Sequence, residues 1–141
     1  MPSRHLSIRL ETSIIDRLDA QSRRSGRSRS ELAKTPLEEG LRMEAHPGIV
    51  FRPGPAGRRP GIAGGPDVWE IARVIRGTRG SPDEVVKRTA ALTGQPPELV
   101  WIAMRYYAGY REEIDEWLRR LDEEAERAEA AWRRQQELLA Q

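Results

Sequence analysis

The feature that most constrains this chain is the alternation at its N-terminus. From His5 to Leu10 polar and apolar residues strictly alternate, so Leu6, Ile8 and Leu10 share one side and His5, Ser7 and Arg9 the other. That is the pattern of a half-buried β-strand. A strand needs a hydrogen-bonded neighbour, and no second strand pattern occurs before Ile49. The segment is therefore expected to pair with a second copy of the chain or with another molecule. Ile14, Ile15 and Leu18 then predict a short helix that ends in a left-handed glycine at Gly26. Ser28-Arg29-Ser30-Glu31 has the form of a capping box and starts a second helix at Ser28.

Charge is unevenly spread. Residues 1–34 hold eight Arg or Lys against four acids, a net of +4, and residues 111–141 hold six Arg against ten acids, a net of −4. A basic front suits a polyanion, because each neutralised phosphate releases a counterion. An acidic tail suits a protein partner. Against any single Arg being functional stands the overall bias of 22 Arg to 2 Lys, which codon usage alone can produce. With 141 residues, the chain is expected to form one ordinary domain or two very small ones, with help from self-association. No Cys and only His5 and His46 exclude disulfides, Cys-based zinc sites and Cys nucleophiles. No run of eighteen apolar residues and no apolar N-terminal region occur, so neither a membrane span nor a secretory signal is expected, and a cytoplasmic protein is the simplest reading.

The run LSIRLETSIIDRLDAQSRRSGRSRSELAKTPLEEGLR resembles the ribbon-helix-helix DNA-binding domain of bacterial repressors and antitoxins. The resemblance implies that strands from two chains form an antiparallel ribbon that enters the major groove. It places the base-reading positions on His5, Ser7 and Arg9, and the phosphate clamp at the second helix on Ser28, Arg29 and Ser30. The chemistry agrees: a two-stranded ribbon fits the major groove, Arg contacts guanine O6 and N7 in a fork, and a helix N-terminus holds phosphate with its free N–H groups. Arg9 is the main expected base reader. Pro36 departs from the family's unbroken second helix and predicts a kink there or a restart at Thr35, since an internal proline removes a hydrogen bond.

His46-Pro47-Gly48 marks a boundary, and Ile49–Arg52 is long enough only for an edge strand. Residues 53–66 hold five Gly and four Pro without a G-K-[ST] signature, which predicts a tight hairpin or irregular loop with Ile62 inward, and no phosphate-binding loop. Asp67-x-x-Glu70, Ser81-Pro82-Asp83-Glu84 and Gln95-Pro96-Pro97-Glu98 each open a short helix. Trp69, Trp101, Tyr106 and Tyr107 lie at helical spacings and read as core or dimer packing. Arg58 and Arg59, on this loop, are candidates to hold a phosphate or a partner carboxylate, or to be solvated. Glu112, Glu113, Asp115 and Glu116 read as a solvated face. The stretch is similar to the DUF433 family, a homeodomain-like module of toxin-antitoxin loci, through Gly57, Arg59, Pro60, Ile62, Gly64, Val68, Trp69 and Ile71, then Leu99, Ala103, Tyr106, Tyr107 and Glu113-Ile114-Asp115. Gly65-Pro66-Asp67 stands where that family has Gly-Thr-Arg.

From Arg111 to Gln141 there is no Pro or Gly, and one long helix is expected. Ile114, Leu118, Leu121, Ala125, Ala128, Trp132, Gln135 and Leu139 form a seam of coiled-coil spacing. Its outer part, Leu121, Ala125, Ala128, Trp132 and Leu139, is the candidate partner-binding stripe, with Trp132 as anchor. A homodimer zipper, a partner's groove and a fold-back onto the middle module all remain open.

The expected architecture is mainly α with minor β: a dimeric ribbon-helix-helix over 1–46, a three-helix module over 47–118 and an acidic helix over 119–141. The expected function is that of an antitoxin that binds operator DNA as a homodimer and holds a cognate toxin. The resemblance implies a PIN-like ribonuclease as that toxin. The alternative is a stand-alone ribbon-helix-helix regulator. No residues support catalysis, a metal or a cofactor.

Overall fold

A computed structural model describes residues 2–140. It is mainly helical, with α1 at Thr12–Ser25, α2 at Arg29–Ala45, α3 at Val68–Gly77, α4 at Pro82–Thr93, α5 at Pro97–Gly109 and α6 at Arg111–Leu139. One small antiparallel sheet pairs β1 (Ile49–Arg52) with β2 (Arg59–Ile62). The chain divides between Glu44 and Ala45 into two compact units.

In the first unit, α1 ends where Gly26 takes φ +70°, and its N–H bonds the Ser22 carbonyl at 2.9 Å. Only glycine adopts that conformation without strain. α2 opens on Ser28, whose hydroxyl accepts the Glu31 N–H at 3.2 Å. The Glu31 carboxylate lies 3.8 Å from the Arg27 guanidinium. Pro36 does not restart the helix: α2 runs through it. The proline leaves the Leu32 carbonyl without its usual donor, a loss that a helix with no buried described residue tolerates. Residues 2–11 form no strand, because a ladder needs a second strand and a single chain supplies none here. Among the described residues of this unit none is buried, and Leu6, Ile8, Leu10, Ile14, Leu37, Leu41 and Met43 are exposed.

The second unit carries the core. The hairpin register sets Ile49 opposite Ile62 and Arg52 opposite Arg59, which sends the two isoleucines inward, at 3% and 2% exposure. Asp67 and Ser81 open α3 and α4 as their caps. α5 starts instead on Pro97 at its first turn, with no side-chain cap bond. The apolar faces of α3, α4 and α5 bury Val68, Ile71, Ala72, Val86, Val100, Ala103 and Tyr106. Each large apolar side chain removed from water contributes roughly 1.5–3 kcal/mol. α6 closes the unit by inserting Ile114 and Leu118. Tyr106 stacks on Tyr110 at 4.6 Å, and the His46 ring meets Tyr106 edge-on at 5.2 Å. His46 is therefore a packing residue. Among the described residues no helix is long and apolar enough to cross a membrane.

Candidate functional site

The expected base readers His5, Ser7 and Arg9 lie in the segment without secondary structure, and all three are exposed. So are the residues meant to face inward, Leu6 at 69% and Ile8 at 61%. One copy of the chain thus leaves both sides of the alternating segment uncovered.

Ser28, Arg29 and Ser30 stand together at the start of α2, where the first turn's N–H groups have no partner within the helix. Arg29 is engaged by its own chain: Nε donates to Asp19 Oδ1 at 2.5 Å and Nη2 to Asp19 Oδ2 at 2.8 Å. This fork joins α2 to α1. Hydrogen bonding from Arg29 holds the Asp19 carboxyl below its ordinary pKa, and the same bond raises Arg29. A phosphate at this helix end would have to compete with Asp19 for the guanidinium. The resemblance did not reveal that competitor, which stands ten positions away on α1.

The seam on α6 changes character along one helix. Ile114 and Leu118 are buried at 2% and 1%, whereas Trp132 is 58% and Leu139 79% exposed. Leu121 is half-buried, and Ala125 and Ala128 are exposed. α6 folds back onto the middle module as far as Asp122, with Leu118 its last buried residue. Asp122 marks the change, accepting Arg73 Nη2 of α3 at 2.8 Å.

The densest polar cluster was not foreseen from the sequence. Asp67, 8% exposed, accepts Arg52 Nη1 at 2.9 Å, Arg59 Nε, and the Trp69 indole N–H at 3.2 Å. It also accepts the Glu70 N–H in a capping box, whose return bond runs from the Asp67 N–H to Glu70 Oε2 at 3.1 Å. Arg52 donates further to the Ile62 and Gly65 carbonyls at 2.6 and 2.9 Å. It crosses Gly61 so closely that a Cβ there would sit 2.6 Å from Nη1. One carboxylate thus fastens both hairpin strands to α3. This answers the open reading of Arg59, which holds a carboxylate of its own chain.

Asp115 departs from the solvated face expected for it. It accepts the Tyr107 hydroxyl at 2.5 Å and lies 3.5 Å from Arg76. Burial first, and then this bond, push the Tyr107 phenol up to about 12. Among the described residues no group of three His, Cys, Asp or Glu gathers as for a metal ion.

No family model matches the chain, and no curated protein or solved structure matches it either.

Proposed function

We propose that the chain is a DNA-binding dimer of the antitoxin type, with a ribbon of two N-terminal strands on DNA and the outer stripe of α6 on a protein toxin. The observation that carries this reading is the N-terminal unit itself. Its strand-like segment and two helices present seven large apolar side chains to solvent, and none of its described residues is buried. A segment of this composition gains stability only when something covers it, and a second copy offers the matching strand and the matching helix faces. Pairing that buries Leu6, Ile8 and Leu10 turns His5, Ser7 and Arg9 outward on the opposite side, because the side-chain period of a strand is two. The net +4 over residues 1–34 and the helix end at Ser28 supply the attraction for phosphate.

The second part of the reading rests on α6, where the apolar stripe with Trp132 continues past the last buried residue, Leu118, among charged neighbours of both signs. Such a stripe fits a partner's groove. The homeodomain-like character of the middle module and the ribonuclease nature of the toxin belong to the family resemblances alone.

The test is sedimentation of the full chain with the variant Ile8→Asp, followed by selection of DNA from a random-sequence pool. The expected result is a dimer that enriches a palindromic sequence, and a variant that does neither. A chain that stays monomeric at tens of micromolar and enriches no sequence overturns the ribbon. A dimer that binds its palindrome while no protein co-purifies with it from its native cells favours the stand-alone regulator.

A further inference from the structure

The turn that joins α1 to α2 is fixed from within. Gly26 ends α1 in a left-handed conformation, the Ser22 hydroxyl donates to the Arg27 carbonyl at 2.5 Å, and the Ser25 hydroxyl accepts the Arg27 N–H at 3.3 Å. Arg27 and Arg29 stand on either side of the Ser28 cap and differ in their engagement. Arg27 Nε lies 3.8 Å from the Glu31 carboxylate, beyond hydrogen-bond reach. Arg29 gives Nε and Nη2 to the two oxygens of Asp19.

A fork of two parallel N–H donors fits a carboxylate and a phosphate alike. The guanidinium at the first turn of α2 is therefore an anion-holding group, and the chain occupies it with a carboxylate of its own. That carboxylate stays ionised at neutral pH, because the bond from Arg29 holds it below its ordinary pKa. The pair lies at the surface, with the Arg29 side chain 57% and the Asp19 side chain 29% exposed. An incoming phosphate reaches it without unfolding either helix.

We propose that Asp19 is a built-in competitor of the DNA backbone: it occupies Arg29 in the free chain and gives it up when a phosphate binds at the start of α2. The inference rests on the DNA-binding reading above and adds a restraint to it. Affinity falls for every sequence alike, since phosphate contacts carry no base information. Two effects act in the same direction. The fork is lost on binding, and the carboxylate left behind repels the phosphate that displaced it.

The test has two arms, both on the full chain. The first follows the side-chain Nε–H signal of Arg29 in the ¹⁵N-labelled protein, assigned by Arg29→Lys. In the free parent it is expected to exchange with solvent more slowly than that of the exposed Arg127, and Asp19→Ala is expected to remove the difference. The second arm measures binding to a random-sequence DNA duplex by fluorescence anisotropy at about 0.15 M salt. Asp19→Ala should tighten binding roughly fivefold, the upper range for one exposed ion pair. Asp16→Ala takes the same charge from an exposed position of α1 without freeing an arginine, and should tighten binding about twofold at most. In an Arg29→Ala background the two acid substitutions should become equivalent, because no guanidinium is left to release. An Arg29 signal that exchanges as freely as that of Arg127 overturns the proposal whatever the duplex does. So do Asp19 and Asp16 variants that bind the duplex equally while Arg29 is present, or an advantage of Asp19→Ala that survives without Arg29. A protected Arg29 signal in a chain that binds no duplex in any variant overturns the DNA-binding reading and the proposal with it, and reduces the fork to a tie between two helices.

Discussion

Replacing Asp67 by Asn removes one negative charge and little else, which makes it a sharp probe of how the hairpin is held. Asn caps a helix about as well as Asp, so the bond to the Glu70 N–H survives. What changes is the second oxygen, which becomes an NH₂ facing Arg52 or Arg59. Removing one partner of a buried ion pair costs about 3–5 kcal/mol. The Arg52 and Arg59 side chains are 31% and 26% exposed, so water compensates part of that, and about 2–4 kcal/mol is the expected loss. Urea unfolding followed by near-ultraviolet circular dichroism reports this unit, because Trp69 and Tyr106 lie in it. The double variant Asp67→Asn/Arg52→Met should lose less than the sum of the single changes, since it removes a stranded charge. A single Asp67→Asn variant within about 0.5 kcal/mol of the parent would refute the view that this carboxylate fastens the hairpin.

Further tests address the other interactions. On selected DNA, Arg9→Ala should cost about 1–3 kcal/mol at one base position, while Arg29→Ala should weaken all sequences alike and lower the salt slope by about 1; Asp19→Asn, which releases Arg29, should strengthen binding, as fluorescence anisotropy against salt will show. Trp132→Ala should leave urea stability unchanged but cost a co-purifying partner at least about 2 kcal/mol, against less than about 1 kcal/mol for Arg133→Ala, both read by calorimetry. Tyr107 is neutral when folded up to about 12 but ionises near 10 when unfolded, so the unfolded state binds fewer protons in between and stability should fall as pH rises through that window. The Tyr107→Phe variant should show a shallower decline over the same range in urea titrations.

How much the sequence reveals depends on how far apart the cooperating residues lie. Gly26, Ser28, Asp67 and Ser81 are legible as helix ends because each acts on backbone within a turn of itself. Ile62 is legible as inward-facing from its place after the glycine-rich stretch. The Asp67 cluster is not, because Arg52 and Arg59 reach it only once the hairpin has formed, from 15 and 8 positions away. Asp115 was hidden for the same reason: Tyr107 comes to it across the turn between α5 and α6. Pro36 shows a local rule overruled, since an exposed helix tolerates the loss of one bond. The alternation from His5 to Leu10 is plain to read, yet the segment forms no strand in a single copy of the chain.

Helix α6 is rooted in the core at Ile114 and Leu118 and carries no buried residue among those described beyond that point. About sixteen residues past Glu123, some 24 Å at 1.5 Å per residue, therefore hold their shape by local forces such as the bond from Arg133 to Glu129 at 2.5 Å. A helix of that length standing in water is close to balanced between coil and helix, so its amides should exchange with solvent faster from root to tip. A partner that grips Trp132 must then supply the free energy of holding the outer turns still, and its affinity carries that deduction. Substituting Ala for exposed residues off the stripe, such as Arg127, changes the balance without touching the contact surface. Association should respond to helix propensity at positions that the partner never meets.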